Sequence, residues 1–375
     1  MVYRTVAEDS GHPRTMARAA RHHGGNIDEV AQRYGLNARQ IIDFSTNVNP
    51  FGPPPSVLET LQDNLWRVSV YPDLSQKKLK EALADYLSVD SSQIIPGNGS
   101  AELIYLVASY LSPKKTIIPI PSFCEYPLAI QAFGGEPIFI PLTQNFQVDL
   151  KEILRHLSQA QMLIIANPNN PTGNLFDMDD LLKILQESYR HNVLMMVDEA
   201  FVDFVPHRDS VSLVRKVGQF RNLIVLGSLT KFFALPGLRL GYLVAHPELV
   251  ADLSRRIPPW NVNSLAQLGG PLVLQDYQFQ EESRARIIEN REYLAQKIAS
   301  LATFQTYPSV TNFILAEILG GSITATKLWE FLAKKGILIR DCSSFLGLGP
   351  AYVRLAVRKR EEIDRLTEVL KGLSL

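Results

Sequence analysis

Between residues 115 and 245 the chain alternates short apolar runs with amphipathic segments, a rhythm that few folds accept. TIIPI (116–120), IFIPL (138–142), MLIIANP (162–168), VLMMVDEA (193–200), LIVLGS (223–228) and GYLVA (241–245) each read as a strand. DLKEILRHL (149–157) and DMDDLLKILQESYR (177–190) have helical spacing. Apolar strands that alternate with helices predict an α/β fold, with a mainly parallel sheet covered by helices on both faces.

After PPWNVN (258–263) the pattern predicts one long helical stretch to about residue 302, with Arg284, Arg286, Glu289 and Arg291 facing water. TNFILAEI (311–318), a helix over 326–335, ILIRDC and YVRLAV then form a smaller α+β unit. The proline-rich NVNPFGPPPS (47–56) is expected to be extended and to cross between the two units. A ligand belongs at the strand ends, in the cleft between them.

With 375 residues the chain has room for two domains. Lys plus Arg and Asp plus Glu balance at 38 each, so its charge gives no reason to expect nucleic acid or a membrane surface as partner. No apolar run approaches the ~18 residues of a membrane span. Cys124 and Cys342 make no disulfide framework, which fits a reducing cytoplasm. Residues 1–22 carry Arg4, Arg14, Arg18 and Arg21 without a hydrophobic block, and read as a loose arm rather than a secretory signal. Nothing in the sequence calls for a metal.

Four segments carry chemistry. Lys231 follows the strand LIVLGS, with Ser228 before it and Arg239 after it. A lysine can condense with an aldehyde, and hydroxyl and guanidinium groups can hold a phosphate. Pyridoxal phosphate offers both groups. Asp198 ends VLMMVDEA, where a buried carboxylate needs a positive partner. A protonated pyridine nitrogen is one such partner, and a structural ion pair or a helix cap is the other reading. NPNNPTG (167–173) makes a rigid turn, or else points Asn170 at a cofactor hydroxyl. GNGSAE (97–102) is either an ordinary turn or a helix start that cradles a phosphate.

In order and spacing these segments resemble the fold-type I pyridoxal-phosphate enzymes, the aspartate aminotransferase superfamily. The resemblance runs from about residue 23 to the C-terminus. It implies a large cofactor domain, a smaller domain built from both chain ends, and a homodimer with shared sites. The implied divisions are an arm (1–22), a segment joining the small domain (23–55), the cofactor domain (56–265), and an interdomain helix with the C-terminal small domain (266–375). Lys231 matches the cofactor-binding lysine, Asp198 the partner of the pyridine nitrogen and Asn170 that of the ring hydroxyl. Gly99, Ser100 and Ala101 match the phosphate loop, completed by Ser228 and Arg239. Phe123 in PSFCEY matches the aromatic that stacks on the ring. Tyr71 matches a tyrosine that reaches the cofactor phosphate across the dimer interface.

Two branches of the superfamily are similar to this chain: threonine-phosphate decarboxylases and histidinol-phosphate aminotransferases. HGGNIDE (23–29) and IIDFSTNVNPFGPP (41–54) resemble the decarboxylase signature, and SLTKFFALPGLRLGYLV and PPWNVNSLA do so as well. Val48 stands where the aminotransferases carry an acidic residue, and Phe201 where they carry tyrosine. His23, Asn170, Arg340 and Arg354 match substrate-binding positions, and which group each arginine holds stays open. Arg358 is expected to face solvent or to stand behind the site, and Cys124 to pack as a small residue.

The implied reaction is decarboxylation of L-threonine O-3-phosphate to 1-amino-2-propanol O-2-phosphate, a precursor of the cobalamin side chain. The alternative is transamination of histidinol phosphate with 2-oxoglutarate. The bond held perpendicular to the cofactor ring decides between them, and Lys231 serves both as proton carrier. A non-catalytic regulatory module is the remote third reading, disfavoured by the presence of Lys231, Asp198 and both arginines.

Overall fold

The computed structural model describes residues 24–321 and 323–372. An early short strand, β1 (Ile42–Asp43), precedes the large sheet. That sheet contains β2 (Ile94–Gly97), β3 (Lys115–Ile120), β4 (Glu136–Pro141), β5 (Met162–Ala166), β6 (Leu194–Asp198), β7 (Leu223–Ser228) and β8 (Gly241–Ala245). Its order is β2-β8-β7-β6-β5-β3-β4. Every neighbouring pair is parallel except the two that β8 makes. All residues of β5, β7 and β8 are buried, as two covered faces require.

Helices Ser100–Leu111 and Glu125–Ala132 cover one face, packing Leu103, Ile104 and Tyr126 against Ile118 and Met196. Helices Lys77–Leu87 and Met178–Arg190 cover the other, with Leu83 and Leu181 in one cluster with Ile117 and Val225. The apolar runs thus become the expected strands, each shifted by at most two residues at either end. β2 escapes a sequence reading because IIPG is short and contains proline. At the sheet edge that proline leaves no ladder bond missing.

The smaller unit holds β9 (Phe304–Thr306), β10 (Phe313–Ile318), β11 (Ile337–Leu338), β12 (Arg340–Asp341) and β13 (Tyr352–Ala356). Four of these form an antiparallel sheet in the order β12-β13-β10-β9. β11 pairs in parallel with β1, so the N-terminal segment joins this unit directly.

Three local expectations need correction. The stretch after residue 263 is two helices, Ser264–Gln275 and Tyr277–Ala299. Asp276 separates them and caps the second by accepting from the Phe279 amide at 2.9 Å. Arg284 and Arg291 turn inward to the backbone oxygens of Asp203 and Thr311, each at 3.1 Å, while Arg286 and Glu289 stay exposed. Pro55 does not continue an extended run but opens the helix Pro55–Asp63, since a first-turn proline forfeits no helical hydrogen bond. Among the described residues no helix is long and apolar enough to cross a membrane, and no cluster of His, Cys, Asp and Glu could hold a metal.

Candidate active site

Ala166, Asp198 and Ser228, which end β5, β6 and β7, open onto one cavity of about 410 Å³. Its opposite wall comes from Arg340, Phe345 and Arg354 of the smaller unit and from residues 45–47. Parallel strands end together at this edge, so side chains distant in sequence converge there.

Lys231 lies three residues beyond β7, and its carbonyl accepts from the Asn49 amide at 3.0 Å. Burial, aided by the charges of Arg354 and Arg239, lowers its pKa to about 8. A larger share of the amine is therefore neutral, and nucleophilic, near pH 7. Ser228 Oγ and Thr230 Oγ1 lie 2.8 Å apart beside it.

Asp198 is buried, and its two oxygens accept from the Tyr126 hydroxyl (2.8 Å) and the Ala200 amide (2.9 Å). Burial pushes its pKa up against those two bonds and the Lys231 charge. The carboxylate is thus positioned but under-compensated, a setting that a cationic N–H would satisfy.

At the far end Gly99 has φ +81°, a conformation that favours glycine, and leads into helix Ser100–Leu111. That helix has no side-chain cap, so its first N–H groups are available to an anion. The Arg239 guanidinium lies against Gly99: a Cβ there would sit 2.7 Å from its Nη2. Phe123 lines the cavity and meets the Tyr126 ring edge-to-face at 5.6 Å.

Arg340 and Arg354 are register partners across β12 and β13, and both are buried. Arg340 donates to Ser344 Oγ at 3.0 Å. Arg354 donates to Asn170 Oδ1 and, at 3.0 Å, to the Ser45 carbonyl. Among the described residues neither is ion-paired with a carboxylate. Burial, with the Arg340 charge beside it, brings Arg354 down to about 10. Like charges facing each other across a strand pair repel, so an anion between them would stabilise this wall. Phe201 lines the cavity with its ring edge-to-face on Phe313 at 5.1 Å and brings no hydroxyl.

Of the residues singled out in the sequence, Gly99, Ser100, Ala101, Phe123, Asn170 and Asp198 line this cavity. Ser228, Lys231, Arg239, Arg340 and Arg354 do so as well. Tyr71 does not: it is 78% exposed and stacks on Trp260 at 4.4 Å, away from the cavity of its own chain. His23 lies outside the described residues. Arg358 is absent from the cavity lining and bonds Glu362 at 2.8 Å. Cys124 is half-buried at the cavity wall, and burial pushes its thiol up to about 11, which keeps it protonated. Sequence reasoning missed Tyr126, Ser45, Thr46 and Asn47. The signal for the last three was the polar STN run that follows the apolar Phe44.

The donor set fits pyridoxal phosphate part by part: an uncapped helix start with Ser228 and Arg239 for the phosphate, Asp198 for the ring nitrogen, and Lys231 for the aldehyde. The model of the family described as aminotransferase class I and II matches residues 39–370. A threonine-phosphate decarboxylase of Salmonella typhimurium is 37% identical over 354 residues, covering 94% of this chain and 96% of that one. A histidinol-phosphate aminotransferase of Methanosarcina mazei is 34% identical over 356 residues, covering 93% of each. The crystal structure of a histidinol-phosphate aminotransferase from Sinorhizobium meliloti in complex with pyridoxal-5'-phosphate superposes with a TM-score of 0.85. It is 21% identical and covers 98% of this chain and all of that one, which establishes the shared fold.

Proposed function

The chain belongs to the aminotransferase class I and II family and is a fold-type I enzyme that uses pyridoxal 5'-phosphate, and from that premise we propose that it decarboxylates L-threonine O-3-phosphate. The products are (R)-1-amino-2-propanol O-2-phosphate and carbon dioxide, in cobalamin biosynthesis.

One observation carries this reading: Arg340 and Arg354 are register partners lining the cavity, and among the described residues neither has a carboxylate partner. Threonine phosphate brings a carboxylate and a phosphate at once, one anion for each guanidinium. Histidinol phosphate brings only its phosphate and leaves one buried arginine uncompensated until a 2-oxo acid replaces it.

When bound, the cofactor supplies an aldehyde that condenses with amines and a ring that accepts electrons from a bond broken at Cα. Asp198, held in place by Tyr126 and Ala200, would keep the ring nitrogen protonated. Gly99, Ser100, Ala101, Ser228 and Arg239 would hold the cofactor phosphate, Phe123 would pack on its ring, and Asn170 would serve its ring hydroxyl. Arg340 and Arg354 would set the substrate pose, and with it which bond at Cα breaks. Lys231 Nζ then returns a proton to Cα, a role suited to an amine with its pKa brought down to about 8.

A second reading, histidinol-phosphate aminotransferase, draws on the relatives. Proteins of both descriptions match over more than nine-tenths of the chain, and aminotransferases recur more often among them than decarboxylases. Similarity alone therefore favours the second reading, and the opposed arginines favour the first. Offering carboxyl-labelled threonine phosphate to the enzyme decides. Labelled carbon dioxide is the expected result. Glutamate from histidinol phosphate and 2-oxoglutarate, with no carbon dioxide from threonine phosphate, would replace the first reading by the second.

A further inference from the structure

The turn after β4 holds a residue in a conformation that suits it poorly. Phe146 has φ +55°, in the left-handed region that asparagine or glycine enters with less strain. Its amide donates to the Thr143 carbonyl at 2.8 Å, and the Thr143 amide donates to the Gln147 carbonyl at 2.9 Å. The Phe146 carbonyl accepts from Asn174 Nδ2 at 2.8 Å. The Asn174 carbonyl accepts from the Asn169 amide at 2.9 Å, which ties this turn to the loop that carries Asn170. The large unit thus holds the backbone of the turn. The ring goes elsewhere: it meets Tyr307 of the smaller unit edge-to-face at 5.1 Å.

There Phe146 joins an apolar cluster of Tyr307, Leu315, Cys342, Phe345, Leu348 and Tyr352. Among the described residues it is the one member from outside the smaller unit. Tyr307 is itself fixed, since its hydroxyl donates to Glu317 Oε2 at 2.5 Å and its ring lies 6.2 Å from that of Tyr352. This cluster adjoins the two arginines. Leu315 is the register partner of Arg354, Tyr352 stands two residues before Arg354 on β13, and Cys342 two after Arg340. Strand side chains two apart share a face, and register partners lie side by side on it. Phe345 belongs both to the cluster and to the cavity lining, and the Arg340 guanidinium sits over its ring at 5.1 Å. A contact that seats this cluster on the large unit therefore also seats both guanidinium groups relative to Lys231 and Asp198. A turn that only linked β4 to the next helix would be more stable with asparagine or glycine at residue 146. Phenylalanine at that φ has its compensation in the aromatic contact across the units.

We propose that Phe146 is a positioning residue, a clasp from the turn after β4 that seats the smaller unit and so sets where Arg340 and Arg354 stand in the cavity. Its effect on substrate rests on reading those arginines as substrate-binding groups, whereas its effect on the mobility of the arginine strands does not. The clasp serves decarboxylation and transamination alike.

The test compares the cofactor-loaded wild type with Phe146→Asn, Phe146→Tyr, Tyr307→Leu and the double variant Phe146→Asn/Tyr307→Leu. Asparagine keeps the left-handed turn and removes the ring, and tyrosine keeps the ring. Hydrogen exchange read by mass spectrometry is measured on each, with initial rates on L-threonine O-phosphate in parallel. In Phe146→Asn and in Tyr307→Leu, exchange over residues 337–356 should quicken about 2- to 12-fold, the contribution of one aromatic pair, and KM should rise by a similar factor. The kcat should change less than about twofold, because binding geometry and not the chemical step is disturbed. The Kd for pyridoxal phosphate should stay at the wild-type value, since its proposed holders lie on the large unit. Phe146→Tyr should keep the wild-type KM, and the double variant should be no worse than the weaker single one, both changes removing the same contact. Wild-type exchange and KM in Phe146→Asn overturn the proposal, as do additive effects in the double variant. Should Phe146→Asn fail to fold, Tyr307→Leu is read under the same criterion. Faster exchange with an unchanged KM upholds the clasp and removes the arginines from the substrate site. A wild type inactive on threonine phosphate overturns the proposed function, and exchange alone then decides the clasp.

Discussion

At Lys231 burial and charge act in the same direction. The cavity desolvates the amine, Arg354 and Arg239 repel its proton, and Asp198 only partly opposes them. The apoenzyme should therefore capture pyridoxal phosphate faster as pH rises, levelling off above about pH 8 rather than in the ordinary lysine range. Stopped-flow absorbance at a series of pH values checks this, and continued acceleration past pH 10 would contradict it. Lys231→Ala should lose the visible cofactor band and at least about a hundredfold in turnover, because both the covalent anchor and the proton carrier are gone. Lys231 and Asp198 were legible in the sequence because each stands at the end of an apolar strand, where a charged side chain is conspicuous. Tyr126 and Asn47 were not. Tyr126 meets Asp198 from 72 positions away, and Asn47 reaches the cavity wall only through the tertiary path of its loop.

Among the elements, the strands were legible because burial on both faces demands unbroken apolar runs, and the antiparallel edge was not. β8 reads as one more buried strand, and only the connection through Arg239 reveals its reversed direction. Two glycines separate folding from binding. A Cβ on Gly227 would lie 2.0 Å from the Tyr242 ring on the neighbouring strand, a clash inside the sheet. Gly227→Ala should cost about 1–3 kcal/mol of stability, read as a lowered Tm of the apoenzyme. Gly99→Ala meets a flexible guanidinium instead, but at a φ that strains any side chain and at the proposed phosphate end. It should raise the Kd for pyridoxal phosphate while changing Tm far less. In the small sheet the register that sets Arg340 opposite Arg354 was invisible in ILIRDC and YVRLAV, since pairing depends on the turn between them. Arg354→Gln should raise the substrate KM by roughly 10- to 150-fold, the worth of hydrogen bonds to a charged group. A KM that does not move would remove Arg354 from the substrate site.

For the whole molecule, the alternation of strands and helices predicted the large layered unit, and the resemblance implied a smaller unit built from both chain ends, but the pairing of β1 with β11 had no local signal. Trp66, Val68, Tyr71, Leu74 and Trp260 are all exposed, and Tyr71 stacks on Trp260. Exposed apolar side chains in such number are costly unless covered. The resemblance that places Tyr71 at a partner's cofactor phosphate supplies an occupant for that surface: a second copy of the chain. Val68→Asp should then shift the sedimenting species toward monomer and lower cofactor affinity together. A monomeric variant with wild-type affinity would separate Tyr71 from the site.

The cavity at the ends of β5, β6 and β7 is the proposed active site, with Lys231 as the proposed anchor of its cofactor. Borohydride reduction of the holoenzyme, followed by peptide mass spectrometry, tests this most directly. A phosphopyridoxyl group is expected on the peptide that contains Lys231 and on no other lysine. Its recovery on a different lysine, with activity lost in proportion, would remove Lys231 from the cofactor site.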